Sequence, residues 1–304
     1  MLAYKQQKKL FHSLRCEVAL CYIASLILLS LLFSHPLFLL ALFMALNMVI
    51  LSAGIALEWL SYLKFSLLLI FLITLVNSLF VRAGATILFR GPHLPIIGTI
   101  RVTLESLCFS AGMGIRLLVI LGAFCLFTYA VSPDKVLKIL GGRGSKTMLA
   151  LSLSLRLFPL LVDDFARITE AQRCRGVSFQ TRNRRQRFEK YIPILNTLLL
   201  SSLERSFQLA ESLQSRGFGI AKRSSYREEL WRPRDVLVLL STVPGIALGV
   251  ALALNGWAGY RYYPSLQPIE GLEMMMSAFL GLFFIFPALL NWGWEKWQFL
   301  RLKI

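Results

Sequence analysis

Two short stretches hold the residue types best suited to gripping a partner: EAQRCRG at residues 170–176 and ESLQSRG at residues 211–217. In each, a Glu stands five residues before an Arg, and a Gly follows at once: Glu170, Arg175 and Gly176, then Glu211, Arg216 and Gly217. At about 100° per residue a five-residue separation puts Glu and Arg on different helix faces, so the Arg is not simply the partner of the Glu. Gly is the usual residue just past a helix C-terminus. Each motif therefore predicts a helix that ends by presenting a free guanidinium, with a small residue, Cys174 or Ser215, before it. A guanidinium held this way fits an acidic or carbonyl-lined groove. Taken singly, each is also an ordinary cap with a dipole-matched cation. Two copies in one polar insert favour docking.

Catalytic patterns are missing. The sequence has no P-loop, GxSxG, HExxH or dinucleotide fingerprint. The adjacent Asp163 and Asp164 point about 100° apart on a helix and read as surface charges. The five Cys lack CxxC spacing and read as small hydrophobes. His12, His35 and His93 have no carboxylate company, so no metal site is expected.

The elements that must position the two arginines lie in an apolar chain. Of its 304 residues 56% are hydrophobic and 16% charged, against about 25% charged in soluble domains. An all-α polytopic membrane protein follows, with about six transmembrane helices and a cytoplasmic insert of long amphipathic coupling helices. The net charge of +17 flanks apolar spans, which points to the lipid bilayer and positive-inside orientation and not to nucleic acid.

Taken in order, residues 1–131 read as an N-terminal bundle of about four spans, at 18–33 (short for a span), 37–57, 65–81 and 117–131. The fourth spans the bilayer only if its helix begins near Thr103. Between the second and third spans, 58–64 reads as a polar turn with Trp59 and Tyr62 at the interface. A small external hairpin or loop is expected within 82–117, with Glu105 and Arg116 interfacial by default. Residues 132–235 form the basic insert, with 20 of the 33 Lys and Arg. In it Ser132-Pro133-Asp134 signals a helix start and 141–144 a break. Pro159 ends or restarts a helix, and 182–190 is a turn or a headgroup contact. One amphipathic helix covers 191–215. Residues 236–304 add two spans, 236–254 and 274–290. Between them lies an aromatic loop with Tyr260, Tyr262 and Tyr263 suited to an interface, and Trp292, Trp294, Trp297, Lys296, Arg301 and Lys303 anchor the end. Six spans put both termini, the basic residues Lys5, Lys8 and Lys9, and the insert in the cytoplasm. Lys135, Lys138, Lys222, Arg223, Arg232 and Arg234 near the insert's flanks agree.

The run LSLRLFPLLVDDFARITEAQRCRG, followed by IPILNTLLLSSLERSFQLAESLQSRGFG, resembles the transmembrane T component (EcfT/CbiQ family) of energy-coupling factor transporters. Arg156-Leu-Phe-Pro159 and TLES at 103–106 also fit the family pattern. The likeness is good over roughly residues 75–220 and weakest in the last segment. The family's two Ala-Arg-Gly motifs stand here as Cys174-Arg175-Gly176 and Ser215-Arg216-Gly217. The resemblance implies that Arg175 and Arg216 dock on two cytosolic ATP-binding-cassette ATPase subunits. It further implies that the coupling helices pass ATP-driven motion to a small membrane S component that binds a vitamin or metal ion. The chain itself would hold no cofactor, since ATP sits on the partner subunits, and it would be a non-catalytic part of a transporter in the cell (inner or plasma) membrane.

Two other readings remain open. EAQRCRG loosely fits the EAAxxxG loop of a conventional ABC importer permease, although the Ile-x-Leu-Pro expected after it is missing. A non-transport scaffold whose insert binds anionic lipid is the third.

Overall fold

The computed structural model describes residues 14–80, 84–94, 98–132, 135–136, 139, 146–179, 184–220 and 231–296. It divides into two compact units, residues 133–228 and residues 2–132 with 229–304. The larger unit holds helices α1 (Cys16–Leu32), α2 (Pro36–Ala53) and α3 (Ala56–Phe80), a hairpin of β1 (Ile87–Leu94) and β2 (Gly98–Thr103), α4 (Leu104–Ala130), α7 (Pro233–Leu254) and α8 (Gly271–Lys296). The smaller holds α5 (Lys146–Cys174) and α6 (Arg184–Ser215). Among the described residues the fold is all-α but for the antiparallel hairpin, which pairs Ile87 with Thr103 through Leu94 with Gly98. Among the described residues five helices, α2, α3, α4, α7 and α8, are long and apolar enough to cross a membrane, so this is a multi-pass membrane protein. With 17 residues α1 is shorter, about 26 Å of helix against a hydrocarbon core of about 30 Å.

Single polar groups, most of them at helix ends, tie the bundle together. Tyr22 of α1 donates its hydroxyl to the Phe284 carbonyl of α8 at 2.9 Å. His35 opens α2: its Nδ1 accepts from the Leu37 N–H, so Nε2 carries the proton and donates to Glu273 of α8 at 3.1 Å. At the other end of the same pair Asn291 donates to the Ser52 carbonyl. The loop after α7 folds back onto the α1–α2 turn. Ala258 accepts from the backbone of Ser34 and His35, and Tyr262 donates to the Ser34 carbonyl at 2.9 Å.

Several expectations are corrected here. The second turn falls at Gly54, whose φ of 76° ends α2, and not at 58–64. Glu58 then lies in the first turn of α3. Trp59 is buried, not interfacial, because its Nε1 donates to Asn47 at 2.8 Å across that turn. Tyr262 is buried for the same kind of reason, and a methyl at Gly112 would come within 2.6 Å of its oxygen. Burial pushes the Tyr262 phenol up to about 12, so it stays a neutral donor. Thr103 caps α4 through the Ser106 N–H, which gives that helix its full 27 residues. Glu105 is buried, accepting the backbone N–H and hydroxyl of Thr86 and thereby tying down the entry to the hairpin. Arg116 is half-buried against the end of α1. Its Nη2 donates to the Phe33 carbonyl at 2.7 Å and to Ser34 Oγ at 3.3 Å, a cation placed on the C-terminus of α1.

In the smaller unit α5 runs through Pro159 without ending, and α6 begins at Arg184, so the charged stretch there is helical from that point. Proline removes one ladder bond, and the flanking turns carry the helix past it. Asp164 is not a surface charge. It is 8% exposed and accepts from Arg167 of its own helix at 2.9 Å and from Arg205 of α6 at 2.8 Å. Its neighbour Phe165 stacks on Tyr191, 14 positions before Arg205 and thus about 21 Å from it along α6. One point on α5 reaches both, and the two long helices touch over a short stretch only, so they cross. Expectations at residues 1–13 (with Lys5, Lys8, Lys9 and His12), Pro133-Asp134, Lys138, 141–144, Arg182, Lys222, Arg223, Trp297, Arg301 and Lys303 lie outside the described residues, as do the side chains of His93, Trp294 and Lys296.

Two substitutions probe these ties. Arg116→Ala removes a charge-assisted bond to a helix end and is expected to cost about 1.5–3 kcal/mol, read as a lower thermal midpoint in detergent. Asp164→Ala leaves the half-exposed Arg205 unpaired and is expected to cost about 1–3 kcal/mol, between the exposed-pair and buried-pair limits. Faster amide hydrogen exchange around the crossing is its readout. Adding Arg205→Ala to Asp164→Ala should then cost little more.

Candidate docking site

Each Arg-Gly motif closes its helix in the same way. At the end of α5 the Val177 N–H bonds to the Gln172 carbonyl and the Gly176 N–H to the Arg173 carbonyl, at 3.1 and 3.0 Å. At the end of α6 Phe218 bonds to Leu213 and Gly217 to Gln214, at 3.0 and 2.9 Å. This is the Schellman arrangement, with glycine in left-handed conformation, φ of 86° at Gly176 and 72° at Gly217. Nothing lies within 4 Å of where either Cβ would be, so the backbone angle and not space demands glycine. The C-cap residue in each case is the arginine. Helices α2 and α7 end in the same cap, Ile55 to Ile50 with Gly54 to Leu51, and Trp257 to Leu252 with Gly256 to Ala253, but the residue before the glycine is Ala53 or Asn255. The cap is general to this chain, and the arginine distinguishes the two motifs.

Arg175 and Arg216 are exposed and make no hydrogen bond or ion pair with a described residue. Cys174 is exposed and unbridged. Ser215, also exposed, donates only to the Ser212 carbonyl in its own last turn, at 3.0 Å. Glu170 and Glu211 are exposed on the flanks of the two tips. Arg156 and Pro159 are not brought to either tip. They stand 19 and 16 residues before Arg175 on the same continuous helix, about 29 and 24 Å away along its axis. The first tip is braced from behind. After Gly176 the chain turns so that Phe179 packs on Tyr191 at 5.1 Å between ring centroids, and Lys190 donates to the Ser178 carbonyl at 2.6 Å. Among the described residues no group of three His, Cys, Asp or Glu gathers that could hold a metal.

Asp164 and Arg205 are the residues that reading the motifs alone passes over. A signal for them exists: the two motifs repeat at an offset of 41, and Asp164 and Arg205 are 41 apart as well. They occupy the same place in the two copies. Each arginine tip therefore lies 11 residues, about 16 Å, beyond its own half of the ion pair. The two helices are pinned about two thirds of the way along each, with one cation at the C-terminal end of each.

The CbiQ family, described as cobalt transport protein, matches residues 7–226. The energy-coupling factor transporter transmembrane protein EcfT of Streptococcus thermophilus is 35% identical over 174 residues, covering 54% of this chain and 65% of that protein, just under two thirds of its length. The protein of the same name from Streptococcus equi subsp. equi is 32% identical over 222 residues, 66% of this chain and 80% of the relative. That of Bacillus subtilis is 28% identical over 170 residues, 52% and 64%. The matched region takes in both arginine-tipped helices and most of the first apolar spans, and on these grounds the chain belongs to the EcfT/CbiQ family of transmembrane transport proteins.

Proposed function

We propose that this protein is the coupling subunit of an energy-coupling factor importer. Residues 132–235 face the cytoplasm together with both termini. Arg175 docks on one cytosolic ATP-binding-cassette subunit and Arg216 on the other. ATP binds to those subunits, and their motion moves α5 and α6. The exposed apolar residues of α5 and α6, among them Phe158, Leu160, Leu199, Leu203 and Phe207, offer a platform for a small membrane S component that holds the vitamin or metal ion. On this reading the chain catalyses nothing and holds no cofactor. Gly176 and Gly217 let the chain leave each tip at once, so the guanidinium stands clear.

The observation that carries the proposal is the pairing of two identical caps, each with an exposed arginine as its C-cap, at equal distances along the chain from one ion pair whose carboxylate is buried. A general basic surface for lipid needs neither the repeated cap nor the equal spacing. The loop of a conventional ABC permease does not need a second copy.

Co-purification with the cognate ATPases and substrate uptake in cells test it. Arg175→Ala or Arg216→Ala is expected to weaken docking by about 2–5 kcal/mol if the guanidinium is paired and desolvated in the complex. The double variant should lose both co-purification and uptake. Gly176→Ala, which puts a Cβ on left-handed backbone at about 1–2 kcal/mol, should give a milder loss. Uptake at the wild-type level in the double variant removes the proposal.

A further inference from the structure

A second cluster of arginines lies in the larger unit, at the ends of apolar helices α1 and α7, and the proposed docking does not use it. Asp235, 1% exposed, ties these ends together. One carboxylate oxygen accepts the Arg15 backbone N–H at 3.1 Å and the other accepts that of Arg232 at 3.2 Å. Both oxygens are thus taken by backbone, and the arginine side chains are left to find other company. The Arg15 guanidinium lies 4.3 Å over the Trp231 ring, a cation–π contact that orients it. Its Nη2 reaches the exposed Glu17 at a long 3.4 Å, and its Nη1 is buried with no hydrogen-bond partner. A buried, unpaired guanidinium N–H is costly unless an acceptor comes to it. Arg232 stands beside it, exposed, and Trp231 is 56% exposed. Among the described residues, Arg15 and Arg232 lie at this corner with the carboxylates of Glu17 and Asp235.

We propose that this notch binds the phosphate of an anionic lipid. Arg15 Nη1 and the Arg232 guanidinium supply the donors. The partly positive N-termini of α1 and α7 add to the field, and the exposed Trp231 is a residue type that favours the membrane interface. The site sits where the apolar helices end, which is the depth of a headgroup. Arg15 held on Trp231 is preset for a planar, two-pronged contact with phosphate oxygens.

Native mass spectrometry of the full-length protein in detergent, with equal phosphatidylglycerol and phosphatidylcholine added, tests this. Wild type should retain phosphatidylglycerol in preference. Arg15→Gln and Arg232→Gln should each reduce that retention about fivefold and leave phosphatidylcholine unchanged. Arg185→Gln, remote in sequence and already paired with Glu189, is the charge-matched control and should behave as wild type. Circular dichroism checks that each variant is folded, and Arg15→Lys, which keeps the charge, should retain more lipid than Arg15→Gln. Equal retention in wild type and the folded Arg232→Gln variant overturns the site. Equal loss in the Arg185→Gln control reduces it to bulk charge. Inorganic phosphate displacing the lipid at millimolar concentration makes the ligand a soluble anion and overturns the lipid assignment.

Discussion

The ion pair between Asp164 and Arg205 is the contact on which the geometry of the smaller unit depends. Helices α5 and α6 are long, 29 and 32 residues, and each presents more apolar surface than the other covers. Crossing helices touch over only a few turns, so a small number of interactions fix the angle between them. Here those are one buried carboxylate reaching across to a guanidinium and one aromatic group, Phe165 and Phe179 packed on Tyr191. Because the carboxylate and the guanidinium hold equivalent places in the two copies, the arms beyond them are equal in length. Equal arms with like tips suit a part that meets two similar partners. Asp164 also holds Arg167, so its two oxygens are both used, which limits its freedom to let the crossing slide.

The larger unit uses the same economy at its helix ends. Its helices are apolar on all sides, and apolar faces alone do not set register in lipid. Register comes from single polar groups: Tyr22 on Phe284, His35 on Glu273, Asn291 on Ser52, Arg116 on Phe33 and Asp235 on Arg15 and Arg232. Most of these meet a backbone group, so they hold a helix end in place and not merely one side chain. Arg116 is the boldest of them. It places a cation within an apolar helix and offsets part of the cost with the carbonyl dipole at the end of the shortest span.

Features set by neighbours in the chain were legible in the sequence. The Arg-Gly steps gave the two caps, Thr103 gave the start of α4, and the glycines and prolines between residues 82 and 102 gave the hairpin. Features set by a distant partner were not. Asp164 looks like half of an exposed acidic pair until Arg205 is beside it, 41 residues on. Glu105 looks interfacial until Thr86 folds onto it. Trp59 has an interfacial residue type, but Asn47 draws it inward. Pro159 is a helix breaker by local rule, and the continuous ladder on both sides outweighs one missing bond. The repeat at an offset of 41 was visible and pointed to Asp164 and Arg205, yet only contact gives the alignment its meaning.

Cysteine crosslinking at the tips tests the central claim most directly. Cys174 is native, exposed and adjacent to Arg175, and Ser215→Cys places a thiol in the same position beside Arg216. A short thiol-to-amine crosslinker applied to the intact complex, followed by peptide mass spectrometry, reports what lies against each tip. Crosslinks from both positions into ATP-binding-cassette subunits are the predicted result. Crosslinks confined to this chain's own peptides, with the ATPases present in the same complex, would contradict it.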